Sequence, residues 1–314
     1  MSALRIAIAS GKGGTGKTTV ATSLAVALQM AGKRVVFADC DVEEPNGHLF
    51  LRPQITSSRD VTLPVPEVDL AACTFCGRCA EVCRYSAIVV LPNQVLTFPK
   101  LCHSCGACTL ACPENAIREI PRAIGVVESG QAEGLSFVQG RLNVGEAIAP
   151  PVTRAVQEGL PECDVVIVDA PPGTSCPVIE SVKSADVVLL VTEPTPFGLN
   201  DLELAVQMVR TLGIPFGVAI NRADGGDGQV VAYCEREGIP VVLELPNDRA
   251  VASAYARGEM AVRAKPVWES KFINLFNELY KLSRQKVSPV PAPLELEKVS
   301  ASPPEVNPIR LGPS

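Results

Sequence analysis

Two spacings of apolar residues alternate along most of this chain. Arg5–Ser10 (RIAIAS) is a short apolar run that reads as a buried strand, and after a glycine-rich turn apolar positions recur at helical spacing through Thr18–Met30. Gly32 ends that helix, and Arg34–Ala38 is a second apolar strand. Strand, helix and strand in this order predict a βαβ unit and hence a parallel sheet. The alternation returns later, with buried strands over Asp164–Val168, Val187–Val191, Phe216–Ile220 and Pro240–Leu245 and helices over Leu202–Leu212 and Gln229–Glu237. Between the two stretches, from Pro64 to Pro121, the pattern breaks into short apolar pairs with little helical period and eight cysteines. The expectation is one discontinuous α/β domain (1–63 and 122–286), a mostly parallel sheet flanked by helices, interrupted by a small α+β insert at 64–121. Residues 287–314 hold seven prolines and little apolar period, which predicts a disordered tail.

Composition narrows the function classes. The 314 residues carry a formal net charge of -6, which argues against a broad basic surface for nucleic acid or anionic lipid. No uncharged apolar run approaches the length that spans a bilayer, and Met1–Ala9 lacks the layout of a secretory signal. The expectation is a cytoplasmic protein with no membrane anchor and no nucleic-acid partner. Twelve cysteines in a reducing compartment point to metal rather than to disulfides.

The glycine-rich turn is a phosphate loop. Gly11, Gly16, Lys17 and Thr18 stand at Walker A spacing within GKGGTGKTT (Gly11–Thr19). In such a loop the backbone of Gly11, Gly13, Gly14, Thr15, Gly16, Thr18 and Thr19 closes on phosphate oxygens. Lys17 brings positive charge to the β/γ-phosphates, and the Thr18 hydroxyl is a ligand for Mg²⁺. The following helix aims its positive N-terminus at the same anion. Asp39-Cys40-Asp41 ends the second strand, so both carboxylates point into the crevice at the carboxyl edge of a parallel sheet. Asp164–Gly173 (DVVIVDAPPG) has the form of a Walker B strand ending at Asp169.

A second lysine, Lys12, lies inside the loop. With it, residues 4–53 and 121–267 resemble the MinD/ParA/Mrp superfamily of P-loop ATPases, which includes the nitrogenase iron protein. The resemblance implies ATP hydrolysis in an ATP-dependent homodimer in which Lys12 reaches the partner's nucleotide. It also implies that Asp41 orients the attacking water, that Asp39 lies beside the metal and that Asp169 holds Mg²⁺ through water. Asn221, with Pro246 and Asp248 in the Pro246-Asn247-Asp248 loop, would contact the base.

The cysteine block is an internal repeat. Cys73-x2-Cys76-x2-Cys79-x3-Cys83 recurs 29 residues later as Cys102-x2-Cys105-x2-Cys108-x3-Cys112-Pro113, and Gly77/Gly106, Ala87/Ala116 and Ile88/Ile117 keep the offset. The spacing resembles bacterial ferredoxins with two [4Fe-4S] clusters, in which the fourth cysteine of each run serves the other cluster. The resemblance implies Cys73, Cys76, Cys79 and Cys112 at one cluster and Cys102, Cys105, Cys108 and Cys83 at the other. Structural zinc ordinarily uses paired Cys-x2-Cys units instead. Gly77 and Gly106 would keep side chains clear of the sulfides. Arg84 stands where the proline of such runs usually follows the fourth cysteine. Cys163 and Cys234 read as core. Cys176 lies seven residues past Asp169, as a cluster ligand does in the nitrogenase iron protein, yet Arg141–Ala147 holds no matching cysteine.

The expected function is an ATPase, slow without its partner, whose nucleotide state governs electron transfer or iron–sulfur delivery to a client protein. Two alternatives stand beside it: a MinD/ParA-type positioning ATPase with structural or redox-sensing clusters, and an iron–sulfur assembly scaffold. Against the scaffold, the Cys-Pro-x-Cys pair of Mrp proteins is absent.

Overall fold

A computed structural model describes residues 3–226 and 228–285, so the expectation of a disordered tail lies outside the described residues. In chain order the first elements are β1 (Leu4–Ala9), α1 (Lys17–Met30), β2 (Val35–Asp39) and α2 (Gly47–Leu51). Next come two long strands, β3 (Gln54–Val68) and β6 (Ile117–Ala132). Between them lie α3 (Arg78–Val82), the hairpin β4 (Ile88–Leu91) and β5 (Gln94–Thr97), and α4 (Ala107–Ala111). After β6 follow β7 (Leu135–Leu142), α5 (Pro150–Gln157), β8 (Val165–Asp169), α6 (Cys176–Val182) and β9 (Val187–Thr192). The chain continues through α7 (Pro196–Leu212), β10 (Phe216–Asn221), α8 (Gln229–Arg236) and β11 (Val241–Leu245). It closes with α9 (Arg249–Ala256), α10 (Ala261–Ala264) and α11 (Glu269–Leu282).

Nine strands form one sheet in the order β11-β10-β9-β1-β8-β2-β7-β6-β3. From β11 to β7 every neighbour pair is parallel, while β6 runs antiparallel to both of its neighbours, β7 and β3. The inner strands are apolar on both sides because helices cover both faces. One apolar layer draws on α1, α10 and α11, and the other on α5, α6, α7 and α8. Phe37 on β2 stacks on Phe137 of β7 with ring centroids 5.9 Å apart. Such a pair contributes about 0.5–1.5 kcal/mol beyond its burial, and it favours the register that sets β7 beside β2.

The largest departure from expectation lies at the junction with the cysteine block. The stretch read as part of the insert is entered and left by strands of the main sheet. β3 and β6 pair from Gln54 opposite Gln131 to Val68 opposite Ile117, and the expected boundaries fall midway, with Pro64 directly opposite Pro121. β6 pairs β7 only from Gly125 onward, so beyond that point β3 and β6 leave the sheet as a two-stranded ribbon. The register shifts between Val61 and Thr62, leaving Ile124 as the extra residue of a bulge where the ribbon departs. Pro64 and Pro66 lie on β3 beyond this point, in the two-stranded ribbon, which has no third strand to receive their missing N–H groups.

Candidate nucleotide site and cysteine lobe

A cavity of about 360 Å³ opens where the carboxyl ends of β2 and β10 meet the turn between β1 and α1. From the phosphate loop, Gly13, Gly14, Gly16, Lys17, Thr18 and Thr19 line it, joined by the expected Asp41, Asn221, Pro246 and Asp248 and by Pro172 from the turn after β8. The other expected residues lie behind this surface and shape it. A Cβ on Gly11 would stand 2.0 Å from the backbone oxygen of Asp201 on α7, so only glycine lets the loop rest there. Thr15 is buried, and its carbonyl accepts a 2.9 Å hydrogen bond from the Asn221 side-chain amide. Asn221, expected at the base, thus also pins the loop. Lys12 is half-buried beside the cavity, where its carbonyl accepts from the Ser10 hydroxyl at 2.6 Å.

Two carboxylates, Asp169 and Asp41, face Lys17, and a third, Asp39, lies beside them. Asp169 is 1% exposed, the Thr18 hydroxyl bonds it, and its Oδ1 has no hydrogen-bond partner. Burial raises its pKa to about 6, against the pull of Lys17 and Thr18. An orphaned buried carboxylate oxygen beside a hydroxyl is a donor set that fits a hard divalent cation such as Mg²⁺. Asp41 is likewise raised to about 6 by burial, with Lys17 pulling the other way. Asp39 is fully buried and is pushed well up by burial first and by Asp169 next. Its Oδ2 accepts from Gly47 N at 2.8 Å and its Oδ1 from Asp41 N at 3.2 Å. Asp39 therefore ties the β2–α2 turn, which carries Asp41, to the sheet. On the far side Gly173 N donates to Ser10 O at 2.9 Å, linking the turn after β8 to the phosphate loop.

Sequence reasoning missed the other end of the cavity. Leu245, Val251, Ala252, Tyr255 and Trp268 give it an apolar wall, and Glu44, Asn46, Arg222 and Asn247 add polar groups. Tyr255 is held by Phe50, with centroids 5.1 Å apart. Residues past Leu245 had no predicted element; the usable signal was Asp248 as N-cap of α9, where its Oδ1 accepts from Ala250 N at 2.8 Å. Its Oδ2 pairs with Lys265, so both oxygens are engaged by the protein.

At the far end of the ribbon the repeat is realised residue by residue. α3 and α4 stand 29 residues apart, and Phe75/Ser104 and Ser86/Asn115 share left-handed backbone conformations. The halves exchange equivalent bonds: Asp69 N donates to Ala116 O at 2.8 Å and Phe98 N to Ala87 O at 2.8 Å. Two small cavities result. One is lined by Cys73, Cys76, Cys79 and Cys112, the other by Cys83, Cys102, Cys105 and Cys108. Backbone N–H groups of Phe75, Ala87, Ser104 and Ala116 donate to the sulfurs of Cys73, Cys83, Cys102 and Cys112 at 3.3–3.4 Å. Gly77 and Gly106 have φ of 83° and 70°, so backbone conformation itself asks for glycine there. The thiols ring voids: among the described residues no group of three or more His, Cys, Asp or Glu is set to hold a single metal ion. Tyr85 and His103 stack at 3.6 Å over the second cavity. Cys40, Cys163 and Cys234 are buried, and Cys176 is exposed at the start of α6. No helix among the described residues is long and apolar enough to cross a membrane.

Comparison with known proteins agrees with this geometry. The profile described as CobQ/CobB/MinD/ParA nucleotide binding domain matches residues 6–262. An uncharacterised protein of Methanocaldococcus jannaschii is 30% identical over 257 residues, covering 81% of this chain and 90% of its own. An iron-sulfur cluster carrier protein of Pyrococcus furiosus is 24% identical over 317 residues, covering 90% of each. Among solved structures, the septum site-determining protein MinD of Pyrococcus horikoshii, complexed with Mg-ADP, superposes with a TM-score of 0.57 at 21% identity, covering 90% of this chain and 98% of its own.

Proposed function

Because the chain belongs to the CobQ/CobB/MinD/ParA nucleotide-binding family, we propose that it is a Mg²⁺-dependent ATPase whose nucleotide state governs electron transfer or iron–sulfur delivery through two [4Fe-4S] clusters. The observation that carries the iron–sulfur half is the division of eight thiols into two rings of four, each drawing three cysteines from one repeat and the fourth from the other. Cys73, Cys76, Cys79 and Cys112 would hold one cluster, and Cys83, Cys102, Cys105 and Cys108 the other. Backbone N–H groups of Phe75, Ala87, Ser104 and Ala116 already donate to four of the sulfurs, the kind of hydrogen bond that tunes a cluster's potential. Such clusters supply one-electron chemistry at a potential set by burial and hydrogen bonding.

At the nucleotide site the loop backbone and Lys17 bind the phosphates, and Thr18 and Asp169 orient Mg²⁺. Asp41 would orient the water that attacks the terminal phosphate, a role supported by its lining the same cavity as Lys17. The apolar wall of Tyr255, Leu245 and Trp268 offers stacking and contact area to a base. Lys12, half-buried within the loop yet outside the cavity lining, is the group that would serve a second protomer's nucleotide. Delivery of clusters to a client is favoured alongside electron transfer by the carrier proteins among the relatives.

The test is chemical analysis of protein purified without oxygen, alongside ATP turnover with and without Mg²⁺. About eight iron and eight acid-labile sulfide per chain are expected, with turnover that needs Mg²⁺. Stoichiometric zinc without sulfide would overturn the cluster assignment.

A further inference from the structure

The two cysteine rings are not equivalent with respect to the nucleotide. The cavity of the second ring is lined by Pro64, Pro66 and Glu119, part-way down the ribbon toward the sheet. The first ring meets the ribbon at its far end, at Val68 and Ile117. The Cys83/Cys102/Cys105/Cys108 ring is therefore the one nearer the ATPase core.

One loop touches the core, the ribbon root and this ring's own segment. After β7 the chain folds back onto the bulge: Asn143 N donates to Ile124 O at 2.9 Å and its side-chain amide to Ala123 O at 3.3 Å. Glu146 then takes Arg122 in a two-pronged pair, 2.5 and 2.9 Å, with side chains only 6% and 19% exposed. The adjoining Gly145 lies under the Lys100 ammonium, 3.2 Å from where a Cβ would stand, and Lys100 is two residues before Cys102. Arg122 first and Lys100 last draw Glu146 below the usual carboxylate range.

The same loop leads into α5. Arg154 of α5 pairs with the mostly buried Glu180 of α6 at 2.8 Å, and Gln157 donates to Glu180 O at 3.1 Å. α6 begins three residues beyond Gly173, whose N–H is bonded to Ser10 in the phosphate loop. The turn after β8 is where a terminal phosphate is sensed in switch-type nucleotide hydrolases. A displacement there would be passed through these contacts to α6, then α5, then the loop that grips the ribbon at its bulge.

Resting on the iron–sulfur reading above, we propose that Glu146 is a positioning residue that couples the nucleotide site to the Cys83/Cys102/Cys105/Cys108 cluster, leaving the other cluster unaffected by nucleotide. Glu146 acts through Arg122, by fixing the ribbon's angle at the bulge, and through Lys100, by setting a charge beside the ring. Linkage makes the effect mutual: whatever nucleotide does to the cluster's potential, reduction does to ATP affinity.

The test uses the full chain with both clusters, in an anaerobic redox titration followed by EPR with ADP and with a non-hydrolysable ATP analogue. Cys76→Ser and Cys105→Ser variants assign the two signals. Exchange of nucleotide should shift one signal only, the one altered in Cys105→Ser. Reduction should change affinity for the analogue about tenfold, equivalent to about 59 mV for a one-electron couple. Glu146→Gln should keep its iron but bring that change below about twofold. Hydrogen exchange over residues 98–104 and 120–126 should respond to nucleotide in the parent and not in the variant. An undiminished shift in Glu146→Gln, or a shift of the other signal, overturns the proposal while the clusters stand. A chain that binds no iron overturns the cluster reading and this proposal together.

Discussion

Replacing Asp169 by asparagine should stabilise the metal-free protein while removing its response to Mg²⁺. Asp169 is 1% exposed with Oδ1 unpartnered, and burial lifts its pKa from 3.8 to about 6. Its folded pKa is raised, so the native state binds more protons than the unfolded chain between about pH 4 and pH 6. Stability from this group therefore falls as pH rises through that window, and the deficit is complete above it. About two pH units at about 1.4 kcal/mol each amount to roughly 3 kcal/mol. The asparagine variant keeps the shape and loses the charge. It also takes one counter-charge from Lys17, which retains Asp41, and it still buries an amide. A net gain of about 1–2 kcal/mol at pH 8 is expected, raising the melting midpoint by about 2–8 °C in a domain of this size. Thermal unfolding in a chelator at pH 8 and at pH 4.5 reads the effect, which should shrink at the lower pH as the parent's carboxylate is protonated. With Mg²⁺ and ATP the order should reverse, because ligand at a hundred times its Kd adds about 2.7 kcal/mol to a protein that binds it. A variant no more stable than the parent at pH 8, or a gain equal at both pH values, would refute the assignment of Asp169 as an uncompensated buried charge.

Lys17→Ala should lose nucleotide binding, whereas Asp41→Ala should keep binding and lose turnover because only water orientation is removed; equal turnover in Asp41→Ala and the parent sinks that role. Lys12→Ala should bind ATP as a monomer and fail to hydrolyse it, and light scattering with a non-hydrolysable analogue decides whether it still dimerises. Turnover should fall as pH drops through about 6, where Asp41 takes up its proton in the nucleotide-free protein; a flat profile between pH 5 and pH 7 counts against Asp41.

The legible parts of the chain were those where one physical demand dominates. β1, β2, β8, β9 and β10 are buried on both faces, and their apolar runs announce them; β11, an edge strand, is announced by Val241, Val242, Leu243 and Leu245 although Glu244 is exposed. The phosphate loop is dictated by a turn that only certain residues can make. What stayed hidden were strands whose surroundings are mixed. Gln54–Asp60 of β3 is exposed throughout and polar apart from Ile55, so it carries no period-2 signal. β7 holds Gln139, Gly140 and Arg141 among its apolar residues and was invisible without its stacked partner Phe37. The apolar wall of the nucleotide cavity comes from Leu245, Val251, Tyr255 and Trp268, which are scattered over three elements and only tertiary packing unites them.

The junction between sheet and cysteine lobe decides what kind of coupling is physically open to this molecule. A lobe on two flexible loops can change position at little cost, and the nucleotide would have no grip on it. Here both arms are strands, and Gly125 to Gln131 of β6 lies paired between β3 and β7 within the main sheet. To slide the lobe along the sheet, that ladder would have to break, at a cost of order 1 kcal/mol for each hydrogen bond lost without replacement. The one inexpensive motion is bending at the bulge, where Ile124 opposes no partner and the β6–β7 pairing ends. That is also where Asn143 and Glu146 take hold. The sheet thus removes the degrees of freedom that would decouple the lobe and leaves one, and that one lies under a loop whose other end runs through α5 and α6 to the turn after β8, which is bonded to Ser10 at the start of the phosphate loop.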